Sequence, residues 1–200
     1  MLTTLADVVG SLLVLVGSGT YAYEVWRQRV IPNAVTWTLW FVIPLVTFSA
    51  ELAGQVRLPA IFTLASSIGP LLVLVTAAFV SRAYWKVGPV SYLCAVLSVG
   101  SMLAWLWTRD GNYAILLSIG ADLLAALPTI IKAYRRPESE GATNFLLGFI
   151  GTSLVLVTLK RWDVPHAAFP LYALIVNATL VLLVSRGQLR RPVRSADGAP

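Results

Sequence analysis

Apolar residues run along this chain in seven long blocks that carry almost no charge, separated by short polar or basic breaks. To within a few residues the blocks are 5–25, 34–54, 59–79, 90–107, 113–134, 143–159 and 167–184. A helix that crosses the hydrocarbon core needs about 20 mostly apolar residues, and these blocks come close to that length. The breaks are only a few residues long. Neighbouring helices are therefore expected to be antiparallel and packed together, with no room for a soluble domain.

Composition agrees with the block pattern. Of the 200 residues 58% are hydrophobic and 12% charged, about half the charge of an ordinary soluble domain. A soluble enzyme or a DNA-binding module is a poor fit to such a chain. The net charge of +6 does not point to nucleic acid, because the basic residues sit at block ends and in the final dozen or so positions. Membrane proteins place them there. Cys94 is the one cysteine and lies inside the fourth block, so no intramolecular disulfide can form. Residues 1–6 carry no Lys or Arg and Asp7 interrupts the region; this reads as a retained helix rather than a cleaved signal, which needs a basic start.

Charge also predicts orientation. Arg27, Arg29, Arg82, Lys86, Lys132, Arg135, Arg136, Arg186, Arg190, Arg191 and Arg194 fall on the side shared by the first, third and fifth breaks and the C-terminus. Arg57, Arg109, Lys160 and Arg161 fall on the other side. Eleven against four places the N-terminus outside and the C-terminus in the cytoplasm, with the plasma membrane as the expected location. Trp26, Tyr84, Trp85, Trp105, Trp107, Tyr134 and Trp162 cluster near block ends, where amphipathic rings sit at headgroup level. The stretch 187–200 is expected to be a disordered basic tail.

A shift of 108 positions lays block one on block five, two on six and three on seven without a gap. Trp26-Arg27 meets Tyr134-Arg135, Ala34 meets Ala142, and Leu39-Trp40-Phe41 meets Leu147-Gly148-Phe149. The fourth block is left over. Three crossings reverse the chain's direction, so an extra crossing is what lets two such triplets run parallel, a known transporter plan. The expected fold is an all-α polytopic membrane protein with seven transmembrane helices and a 3+1+3 parallel triple-helix repeat. Its parts are a first triplet over 1–86, a linker helix over 87–110, a second triplet over 111–186, and the tail.

On these features the chain resembles the SWEET and PQ-loop transporter superfamily. Leu127-Pro128-Thr129 followed by Lys132-Ala133-Tyr134-Arg135-Arg136 is similar to the family's Pro-Gln helix end and basic turn, with Asn144 near the start of the next helix. Asn177, midway along the last block, resembles the family's pocket asparagine. The sequence departs from the family at Thr129, where the glutamine would stand, and at Thr20-Tyr21 in the first half. It departs again at Gly69, which answers Asn177, and near Ala50 and Thr158, where many sugar carriers have tryptophan. The resemblance thus implies the fold more than a sugar cargo.

Asp122 is the most informative single residue. It lies about ten residues into the fifth block, near mid-bilayer. A carboxylate there costs at least about 2.5–3.5 kcal/mol and normally faces the bundle interior or water. It could couple transport to protons or contact a cation, or it could hold two helices together by hydrogen bonds. Asn177 carries the same alternatives, its amide suiting a solute or a neighbouring helix. Ser66, Ser67, Gly69 and Pro70 form a small-residue patch that fits either a cavity wall or close packing. Pro44, Pro70 and Pro128 are candidate hinges. Trp40, one turn into the second block, is a candidate for stacking on a solute, whereas Thr36 and Trp37 lie closer to the interface.

Other chemistries find no footing in the sequence. His166 is the one histidine and no metal-ligand spacing surrounds it. No phosphate loop or serine-hydrolase elbow is present, and the last block lacks the lysine a retinal protein needs. No enzymatic activity and no cofactor are expected. The function expected is alternating-access transport of a small polar solute, a sugar or similar metabolite. Asn177, Asp122, Trp40, Ser67 and Asn144 are its binding candidates, and Asp122 is its proton-coupling group. The alternative is a non-transporting receptor or complex subunit on the same fold. The expected partners are the solute, the lipid bilayer and, in an oligomer, further copies of the chain; nucleic acid is not among them.

Overall fold

The computed structural model describes residues 2–80, 88–108 and 110–189. Arg82, Tyr84, Trp85, Lys86, Arg109 and the tail from 190 onward, which the charge count and the domain division use, lie outside the described residues. The described chain folds into α1 (Leu2–Trp26), α2 (Ala34–Ala53), α3 (Leu58–Val80), α4 (Pro89–Thr108), α5 (Gly111–Arg135), α6 (Ala142–Val157) and α7 (Val164–Leu189), with one 3-10 turn at Pro137–Ser139. No strand occurs among the described residues.

Helix ends follow local chemistry. Asn33 caps α2, its side chain accepting from the backbone N–H groups of Val35 and Thr36 at 3.1 and 3.3 Å. Asp110 caps α5 through the Asn112 N–H at 2.9 Å, so that helix begins two residues before the apolar block does. α6 ends at Val157, just short of the polar run from Thr158 to Asp163. α7 extends through Leu189, so residues 187–189 are helical where a disordered tail is expected.

The distribution of polarity is that of a protein dissolved in lipid. Trp107, Val157, Phe79 and Leu182 are between 72% and 90% exposed, while Asp7, Thr36, Glu51, Thr63, Ser67, Asp122 and Thr152 are buried. Among the described residues five helices (α1, α2, α3, α5 and α7) are long and apolar enough to cross a membrane, and α6 is a shorter apolar helix of 16 residues. These are the features of an integral membrane protein.

Within the first three helices α3 packs against both α1 and α2. Among the last three, α7 packs against both α5 and α6. The two groups meet along two seams, α1 with α6 and α2 with α5, and α4 lies on α5. The α1–α6 seam is antiparallel: Gly10 lies against Gly151, and Gly17 against Asn144. A Cβ on Gly151 would stand 2.6 Å from the Gly10 carbonyl oxygen, so glycine is what lets the two backbones approach. The same antiparallel seam puts the α1–α2 and α5–α6 loops on one side, where the Ile31 N–H meets the Ser139 carbonyl at 3.5 Å.

Candidate functional site

A cavity of about 100 Å³ lies among α1, α2, α3, α5, α6 and α7. This is room for several water molecules or a compact solute. Both groups of three helices contribute to its wall.

Aromatic layers bound the cavity along the helix axes. Trp37 and Phe145, each the fourth residue of its helix, lie toward the side of the α1–α2 and α5–α6 loops, and both are 1% exposed. Trp40 stacks edge-on against both, with ring centres 5.3 and 6.5 Å away. Tyr21 backs Trp37 at 4.6 Å. Toward the other side, Phe62 and Phe169 line the cavity and form a buried cluster with Val155.

Asp122 supplies the ionisable group. It lies twelve residues into α5, is 4% exposed and lines the cavity. The Tyr172 hydroxyl of α7 donates to its Oδ2 at 2.5 Å. Its Oδ1 is buried and has no hydrogen-bond partner among the described residues. Tyr172 escapes the sequence reading: it is the sixth residue of the seventh apolar block, and nothing in the sequence pairs it with Asp122.

Asn177, Asn144 and Trp40 also line the cavity. Asn177 donates through Nδ2 to the Ala173 carbonyl at 2.8 Å, and its amide lies against Gly148, where a Cβ would stand 2.5 Å from Oδ1. Ser67 does not line the cavity. Its hydroxyl points to α2 and donates to the Phe41 carbonyl at 2.6 Å. Ser66, rotated about 100° round the helix, takes the lining position.

Of the candidate hinges, Pro44 and Pro70 line the cavity. Pro128 does not: six residues beyond Asp122, it faces roughly 120° away round α5. A further helix-interior proline, Pro170, sits beside Phe169 in α7. Because residues 44 and 70 are prolines, the Trp40 and Ser66 carbonyls lack their usual intrahelical donors.

A second polar cluster lies just outside the aromatic layer. The Tyr21 hydroxyl donates to Glu140 Oε2 at 2.7 Å. Lys132 Nζ stands 2.9 Å from Glu140 Oε1, an ion pair off the line of a good hydrogen bond, and also donates to the Ile31 carbonyl. Burial pushes the Glu140 carboxyl above its ordinary range, although Lys132 and Tyr21 pull it back. Gly141 follows, and a side chain there would have to displace the Glu24 carboxylate. At the far end, His166 pairs with Asp163 at 2.5 Å. That contact, with Arg161 nearby, holds Asp163 below the ordinary carboxylate range.

The site therefore combines one partly unsatisfied carboxylate, two amides, aromatic walls at both ends, and a cross-linked loop layer on one side. No known family's model, no curated protein and no solved structure matches this chain.

Proposed function

We propose that the protein carries a small polar solute across a membrane by alternating access, with the cavity around Asp122 as its binding site. The observation that carries this reading is the cavity itself: it sits at mid-helix between two groups of three helices, and it holds a buried carboxylate oxygen without a partner among the described residues. Intramembrane ionisable groups that face such cavities mark solute or proton paths.

The reading takes the chain as seven spans arranged 3+1+3. Exchanging the groups by the 108-residue shift turns the α1–α6 seam into the α5–α2 seam, and both are present. Three pairs of cavity-lining residues also answer one another under that shift: Val14 and Asp122, Trp37 and Phe145, Trp40 and Gly148. These relations support a pseudo-two-fold axis through the site, the parallel-repeat plan of SWEET-like transporters. The family resemblance, the outside N-terminus and the plasma-membrane location belong to the same proposal.

In the cycle proposed, the Tyr21–Glu140–Lys132 cluster and the Trp37–Phe145 layer part to open one side, and the Phe62–Phe169 layer parts to open the other. Pro44, Pro70 and Pro170 are the flexing points, and Asp122 exchanges a proton. The titratable group facing it from α7 is Tyr172.

Reconstitution in liposomes tests the proposal, with uptake of a labelled solute panel measured with and without a pH gradient. Saturable uptake that a folded Asp122→Asn variant loses is the expected result. Ligand binding by wild type without any uptake would instead favour a receptor.

A further inference from the structure

We infer that the cavity is built for a compact organic ammonium ion rather than for a sugar or a zwitterionic amino acid. This deepens the transport reading and rests on it for the role of the site, though not for the chemistry of its wall.

The Asp122 carboxylate has one oxygen engaged by Tyr172 and one buried oxygen with no donor among the described residues. None of the described residues lining the cavity is Lys, Arg or His. Leaving a buried acceptor unpaired is costly, and ionising it in a low-dielectric site without a counter-charge costs more. A sugar hydroxyl would satisfy the hydrogen bond and leave the charge. An ammonium group satisfies both. A zwitterion would bring a second carboxylate into a cavity with no cation to receive it.

The rest of the wall fits the same ligand. Trp37, Trp40 and Phe145 offer ring surfaces on one side of the cavity, and cations are attracted to such faces. Pro44 and Pro70, which line the cavity, bring no backbone N–H donor to its wall. The cavity is about 100 Å³, which suits a compact solute.

Purified protein in lipid nanodiscs at neutral pH provides the test, read by intrinsic tryptophan fluorescence and by thermal shift. The probes are isobutylamine, its neutral counterpart isobutyl alcohol, valine (the same skeleton with a carboxylate added) and glucose. Isobutylammonium is expected to bind at least about tenfold more tightly than the other three. That preference should vanish in Asp122→Asn and persist in Asp122→Glu. Equal or tighter binding of the alcohol, valine or glucose by wild type overturns the ammonium inference and leaves transport of a polar solute standing. So does an unchanged preference in folded Asp122→Asn. Selective amine binding with no uptake of any solute in liposomes supports the ammonium site and removes the transport reading. Failure of folded wild type to bind any of the four probes overturns the inference.

Discussion

The Tyr21 hydroxyl and the Glu140 carboxylate meet at 2.7 Å although 119 positions separate them in the chain. The contact ties α1 to the loop that enters α6, directly behind the aromatic layer that closes the cavity. Removing the hydroxyl with Tyr21→Phe leaves a buried carboxylate oxygen without its donor, a loss of about 1–3 kcal/mol. A lower melting temperature is expected. So is faster labelling of a cysteine placed by Asn144→Cys when a membrane-impermeant thiol reagent is applied from the loop side. Unchanged labelling would mean that this contact does not hold the layer shut.

Glu140 also predicts a pH dependence of known sign. Its folded-state pKa is raised, chiefly by desolvation. The protonated form therefore contributes stability below the unfolded value, and that contribution is lost as pH rises through the raised pKa. Melting curves from about pH 4 upward should show wild type losing stability relative to Glu140→Gln, whose amide cannot ionise. A difference between the two that stays constant with pH would contradict this assignment.

Gly10 and Gly151 make a purely steric prediction. Adding a methyl at either position drives a Cβ to within 2.7 Å of the other's carbonyl oxygen, and backbone cannot step aside as a side chain can. Gly151→Ala should lower stability by about 1–3 kcal/mol, the usual cost of overpacking. Gly19 in the same α1 helix has nothing within 4 Å of an added Cβ. Gly19→Ala should melt at or slightly above the wild-type temperature, since alanine is the better helix former.

How much of this could be read from sequence depends on the kind of signal. The apolar blocks locate the helices well, because hydrophobic length is a direct requirement of the bilayer. Asn33 before α2 marks its start through ordinary capping. Which helix face turns inward is far less legible. A helix in lipid is apolar all round, so hydropathy periodicity loses the contrast it has in water. Polar residues are the remaining clue, and many satisfy themselves locally: Ser11, Thr38, Thr47 and Thr152 all donate to the carbonyl four residues back. Ser66 and Ser67 show the limit. Adjacent and chemically identical, one lines the cavity and the other binds α2. Asp122 stands out because no local backbone contact can satisfy a carboxylate. Its partner Tyr172 does not, because the pairing joins α5 to α7 across 50 positions.

That pairing yields the most direct functional prediction. Tyr172→Phe removes the one donor to Asp122 among the described residues and leaves the carboxylate without a partner among them at either oxygen. If the hydroxyl only braces two helices, the variant loses about 1–3 kcal/mol of stability and its uptake keeps the wild-type response to a pH gradient. If the carboxylate exchanges protons during transport, the hydroxyl also tunes that exchange, and the midpoint of uptake against pH must move. Asp122→Asn, which cannot ionise, should keep the fold and lose uptake at every pH. Uptake profiles of wild type, Tyr172→Phe and Asp122→Asn that coincide over the whole pH range would show that Asp122 has no part in coupling, and would assign the Tyr172–Asp122 pair to holding α5 against α7.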